Sequence, residues 1–497
     1  MKLDLSPQTA WQPLPASQWN EDAARHLLRR TGWGAQPPEV SRLMNEGLKA
    51  GLERLFPLKA NEFTKPRLIA NLEISNPAYA EKIRNADSVE QRRVLQREQR
   101  ERQQQALQDL SIKWLQFASR PENAATEKWS YFLGDVYVVS SEKVNSPSDI
   151  YRHQDIIRSQ GFGPAPALTK AVSRSPAMVR FLDLQSSNKN APNENFAREL
   201  FELFVLGEGN YTEADIKEAA RAFTGYRLRR DEFQFNAGQH DTSPKTVFGK
   251  TGAFTGDDVI DVAYEQSSAG RFIPQEMAKF YLSENALSSA YLAPLGDWWR
   301  ASGYDLRQLT HRFFSSQLFF HPEFRGNYIK RPAQFYLGLV QDLNLNVAPY
   351  PRHSLNTLRL MGEELYRPPN VRGWVGGRLW INSGTLNARR QLVETLFTAI
   401  NEENLNADEQ LELVAARSRG IGTFTVTEER LEKMLATMTP DQITARFVDY
   451  FLPVKVSQSY RASVLSFLTG ETDQSKRLAR LRSTAVTLLQ SPEYQLC

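Results

Sequence analysis

Cysteine is nearly missing from this chain: one residue, Cys497, in 497. A single thiol excludes an intramolecular disulfide and any zinc site built from several thiolates. At a chain end it is expected to be an exposed bystander, with a Cys497-linked dimer in an oxidising compartment left open. An excess of charge of one sign is lacking too. The 61 basic residues face 57 acidic ones, a formal net charge of +4. That balance argues against nucleic acid, whose binders carry a strongly basic footprint, and gives no case for a highly acidic partner. Long apolar runs are absent, since no stretch nears the roughly 18 residues a membrane helix needs. The start, Met1-Lys2-Leu3-Asp4-Leu5-Ser6-Pro7, has no basic segment followed by an apolar run and does not read as a signal peptide. The default expectation is a soluble, cytoplasmic chain. A removed leader, or periplasmic export bound to a partner, stays open. Gly-x-Ser-x-Gly, His-Glu-x-x-His and P-loop motifs are also missing.

What is present is ordinary core material: 41% hydrophobic and 24% charged residues, with nine Trp, 17 Tyr and 27 Phe. Such a chain buries a large core without crosslinks. Helical periodicity dominates. A first helix is predicted over Glu21–Arg30 and ends at Gly32-Trp33-Gly34, and Pro37-Pro38 opens a second. Ser88–Phe117 reads as a long polar helix, either a solvated arm or a face for a partner. Thr126–Ser140 reads as a buried aromatic helix, and shorter helices follow at Asp149–Arg158 and Ala165–Ser173. Asn193–Leu206 and Glu213–Phe223 form a helical hairpin, the second helix capped by Thr212 with Asp215 behind it. Tyr226–Arg229 and Glu232–Phe235 alternate as one small β-hairpin. The predicted fold is therefore mainly α, a large multi-helix domain with a small β-hairpin and a helical C-terminal section. Residues 1–15 are an extension, 16–400 the main domain (hairpin about 224–236, Gly-rich loop 367–384) and 401–497 the C-terminal section.

Four blocks carry a family resemblance. They are Arg25-His26-Leu27-Leu28-Arg29-Arg30-Thr31-Gly32-Trp33-Gly34; Ala191-Pro192-Asn193-Glu194-Asn195-Phe196-Ala197-Arg198-Glu199-Leu200 continuing to Thr224-Gly225-Tyr226; His240-Asp241 with Lys245-Thr246; and Pro369-Asn370-Val371-Arg372-Gly373-Trp374 with Trp380-Ile381-Asn382. In this order they resemble the domain of unknown function 1800 (DUF1800) family. The resemblance implies a largely helical bacterial protein with no established reaction. It also implies a protein partner, since the genes often accompany a second uncharacterised, sulfatase-like family. Family members carry a Trp-His-x-His-Phe run where this chain has Leu133-Gly134-Asp135-Val136-Tyr137, and often a His where it has Phe204. Three imidazoles able to bind a metal or move protons are thus absent.

Read from the residues themselves, Glu194, Arg198 and Glu202 stand four apart on one predicted helix face, with Asn193, Asn195 and Glu199 beside them. This ladder is either a structural salt-bridge network or a binding or catalytic cluster. The hairpin is expected to aim these side chains at a shared interior beside the loop of His240. No His lies at the spacing a carboxylate metal site needs, so no metal site is assigned and the cofactor is left unknown. His240 with Asp241 and Lys245 is either a proton-transfer or anion-contact set or a local turn closure. Trp374 and Trp380, near Arg372 and Asn382, either wall a pocket or plug the core. Two functions follow. The first is a binding or assembly component acting with a protein partner in a bacterial export-linked or envelope process. The alternative is a metal-dependent or acid/base enzyme, a hydrolase or oxidoreductase, with a cleft around Glu194, Arg198, Glu202 and His240.

Overall fold

A computed structural model describes residues 4–351 and 353–497, so the first three residues of the expected extension lie outside the described residues. Within them the chain is mainly α, with only two small two-stranded antiparallel sheets. Local chemistry accounts for many helix ends. Asn20 caps Glu21–Thr31 by accepting the Ala23 N–H at 3.0 Å, with Glu21 and Asp22 in the first turn where the helix dipole favours acids. Thr212 and Asp215 form a reciprocal capping box on Glu213–Ala222. The polar Val89–Ala118 helix is solvated along its first half. All its buried residues lie from Ala106 onward, and it packs along Arg67–Arg84.

The Pro121–Val136 helix runs through the centre and is almost wholly buried. Its Glu127 accepts Arg158 through both carboxylate oxygens, at 2.7 and 2.8 Å, and the Trp114 indole at 2.9 Å. A buried carboxylate needs such a set of donors. One continuous apolar cluster extends from Trp11 through Trp129 and Phe223 to Phe447, Leu489 and Tyr494. No helix is long and apolar enough to cross a membrane among the described residues.

The structure corrects three local expectations. The helix predicted over Asn193–Leu206 is α only over Asn195–Glu199 and continues as a π-helix over Leu200–Val205. The wider π turn breaks the four-residue ladder, so Glu202 leaves the face of Glu194 and Arg198. Besides the Tyr226–Arg229/Glu232–Phe235 hairpin there is a second, Lys245–Val247 with Lys250–Gly252. Finally, Cys497 is not exposed. It is buried, its N–H donates to the Tyr328 carbonyl at 2.9 Å, and Gln334 Nε2 lies 3.2 Å from Sγ.

Candidate functional site

The central helix ends at Asp135 and Val136, and three other parts of the chain converge there: the π segment, the Ala269–Tyr281 helix and the Gly-rich loop. Together they wall a cleft of about 660 Å³, which adjoins a hollow of about 290 Å³. Asp135, Glu276, Lys279 and Arg372 line both.

The floor is built around an ion pair. Arg331 Nη2 donates to Asp135 Oδ2 at 2.6 Å, with the two side chains 7% and 15% exposed. Arg331 stands just before the Pro332–Asp342 helix and lies over the Phe280 ring, 4.7 Å from its centroid. Its Nε and Nη1 are buried and meet no acceptor in hydrogen-bond geometry, with the Tyr328 side chain standing beside the guanidinium. Unpaired donors of this kind are rare in folded proteins and call for an explanation. Nearby Glu363 is wholly buried; it accepts the Ala333 N–H at 2.9 Å and the Tyr131 hydroxyl. Burial pushes its carboxyl above the usual range.

The Gly-rich loop closes over this floor. Gly373 has φ +76°, and a Cβ there would collide with Asp135. The next residue, Trp374, turns its N–H toward Asp135 Oδ1 at 3.4 Å and its carbonyl toward Arg331. At the rim Arg372 bridges Glu202 and Glu208, 2.6 Å from each. Glu202 also accepts the Tyr211 hydroxyl at 2.7 Å. Lys279 pairs with Glu276 at 2.7 Å. The charges of the cleft thus come in both signs and are largely paired with one another.

Of the residues singled out from the sequence, Glu202, Arg372 and Trp374 meet here. The others are placed elsewhere. Arg198 sits at the surface, pairing with Glu213 at 2.8 Å and with Glu194 at 3.4 Å. Glu199 is half-buried, its carboxyl raised first by burial and then by Glu202. Asn193 Oδ1 accepts the Asn195 N–H at 3.0 Å, and the Asn193 N–H donates to the Ser187 hydroxyl at 3.1 Å, so these contacts brace the turn entering the helix. His240 is buried with Nδ1 3.0 Å from the Thr224 carbonyl and does not line the cleft. Asp241 faces away from it, toward Arg221 at 2.7 Å. Burial alone would raise the Asp241 carboxyl, but Arg221 and Ser243 hold it well below the usual range. Lys245 is buried and spans the Asp241 and Ser243 carbonyls, at 2.5 and 3.1 Å. Burial lowers its ammonium. Trp380 is buried, and Asn382 caps Ser383–Leu396 by accepting the Thr385 N–H at 3.0 Å. Among the described residues no group of three or more His, Cys, Asp or Glu is placed to hold a metal ion.

Sequence reasoning did not single out Asp135, Lys279 and Arg331, which line the cleft or the adjoining hollow, nor Glu363 buried behind them. Their only signal was weak: Asp135 lies inside the stretch where the family histidines are absent, and Arg331 precedes a helix-opening proline. Compared with known proteins, residues 26–496 match the model of one family, described as a protein of unknown function (DUF1800). No curated protein and no solved structure matches.

Proposed function

We propose, for a chain that belongs to the DUF1800 family, that it is a binding component whose cleft receives a polar segment of a protein partner. One observation carries this reading: Arg331 lines the hollow that adjoins the cleft, and its buried Nε and Nη1 meet no acceptor in hydrogen-bond geometry. A partner's carboxylate or carbonyl would satisfy them, and Arg is suited to planar acceptors of that kind. The rim supports the same reading. Arg372 and Glu208 are 52% and 64% exposed, so a partner's charges can replace their mutual pairing at small cost. The imidazole of His240 is turned onto a backbone carbonyl away from the cleft, which leaves the acid/base alternative without its best proton carrier. The protein nature of the partner and the export-linked or envelope setting rest on the family resemblance; the place of contact rests on the cleft.

The test is a pull-down from the native host, quantified by mass spectrometry, with the parent chain and an Arg372→Ala/Glu208→Ala variant. Both substitutions are at the exposed rim and leave the buried floor intact. The parent is expected to retain a near-stoichiometric neighbour, and the variant to lose it about tenfold or more, the scale of one charged hydrogen-bonded contact. Equal recovery by both chains would remove the cleft as the docking site.

A further inference from the structure

A second cleft, of about 670 Å³, opens between the Glu21–Thr31 helix and residues 448–461 of the C-terminal section. It shares no lining residue with the cleft around Arg331 and Arg372. Five cationic side chains line it, Arg25, Arg29, Arg325, Lys455 and Arg461, against the two side-chain carboxylates of Asp22 and Asp449, with Cys497 also on the wall. Those carboxylates are already engaged. Asp22 holds Arg25 at 2.8 Å and Lys455 at 3.2 Å, and Asp449 holds Arg461.

Arg29 and Arg325 are left over. Arg29 is 7% exposed and donates to the Tyr450 carbonyl; Asp342 acts on it from beyond ion-pair distance, and no carboxylate lies within that distance among the described residues. Arg325 has neither an ion pair nor a side-chain hydrogen bond among the described residues, and its Nε is buried. Arg29 is buried and Arg325 half-buried; a guanidinium held out of water without an ion-pair partner is costly, and a bound anion would offset that cost. The helix Gln458–Thr469 adds to the same field, because Ser457 and Gln458 at its N-terminus also line the cleft. Much of the remaining lining is apolar: Val448, Leu452, Pro453, Val454 and Val456. The volume falls within the range of small-molecule sites, roughly 300–1,000 Å³. Inorganic anions would leave the apolar part unused, and a neutral lipid would leave the arginines unpaired.

We propose that this cleft binds an amphiphilic organic anion, its carboxylate or phosphate head held by Arg29 and Arg325 and its short apolar tail laid on Leu452, Pro453 and Val454. The site is independent of the partner-binding reading, so either can fail alone. Isothermal titration of the full chain with decanoate, decyl phosphate, decanol and inorganic phosphate tests it. At least one of the two amphiphilic anions is expected to bind at one per chain, and decanol and inorganic phosphate at least about tenfold more weakly. Whichever of decanoate and decyl phosphate binds more tightly identifies the head. Arg325→Gln is expected to weaken binding about tenfold or more. Val454→Asp, at a half-buried position in an irregular segment, should do the same by placing a carboxylate beside the tail, and it keeps the test open if Arg325→Gln fails to fold. Three results would overturn the proposal: no heat with either anion at millimolar concentration, inorganic phosphate binding as tightly as decyl phosphate, or unchanged affinity in a folded variant.

Discussion

His153 is completely buried, with Nε2 2.9 Å from the Tyr137 carbonyl and Nδ1 3.0 Å from the Ser175 hydroxyl. A carbonyl only accepts, so Nε2 carries the proton and Nδ1 accepts from Ser175. Burial lowers the imidazole from 6.5 to about 4. The unfolded chain therefore takes up this proton near pH 6.5 and the folded chain only near 4. Stability contributed by the neutral ring is present above 6.5 and is lost as pH falls from 6.5 to 4, by about 3 kcal/mol in full. His153→Gln is expected to flatten that part of a denaturation-against-pH profile, and an equally steep profile in the variant would refute the assignment. The residue had no sequence partner, because Tyr137 and Ser175 reach it only through tertiary packing. The same holds for Arg331 and Asp135, which lie 196 positions apart and yet make the floor of the cleft. Trp374 and Arg372 were legible because a Gly-rich, aromatic loop stands out against helical surroundings. His240 drew attention through its adjacency to Asp241, but neighbouring side chains in extended backbone point apart, and the two engage different groups.

Elements whose limits depend on local chemistry were readable. Ala165–Ser173 coincides with its predicted span, and the Thr212 cap is present. The π segment was not readable, since an added residue per turn leaves the apolar spacing of Phe196, Leu200 and Phe204 nearly unchanged while it turns Glu202 toward Tyr211 and Arg372. The second hairpin has strands of three residues, too short for alternation to register. The Gly-rich loop depends on one backbone position in the same way. Gly373 takes a left-handed conformation against Asp135, so Gly373→Ala adds about 1 kcal/mol of backbone strain and a collision that pushes Asp135 off Arg331. The expected result is a loop released from its floor, seen as faster proteolytic cleavage between residues 367 and 384 and a small change in melting temperature. A cleavage map like that of the parent would show that the loop is held by other contacts.

At the scale of the molecule, the sequence left open whether the C-terminal section packs on the main domain or stands as its own lobe, because amphipathic helices reveal that a face is buried but not against what. The last turn supplies the contact. Tyr494 is fully buried; its hydroxyl donates to Asp342 Oδ2 at 2.8 Å, and Lys330 Nζ lies 3.5 Å from its ring centroid. The Lys330 N–H donates to the Gln495 carbonyl at 2.8 Å. Asp342 is itself buried, and burial raises its carboxyl, so the tyrosine both fills space and satisfies an acid. Removing it in Tyr494→Ala leaves a cavity and an under-satisfied carboxylate, a loss of about 3–5 kcal/mol. If residues 401–497 share one cooperative core with the rest, as the continuous apolar cluster through Phe447 and Leu489 argues, calorimetry should show the main endotherm moving down by several degrees. Two resolved endotherms, with only one displaced by the substitution, would instead mean that the two sections melt independently and that Tyr494 stabilises an interface between them.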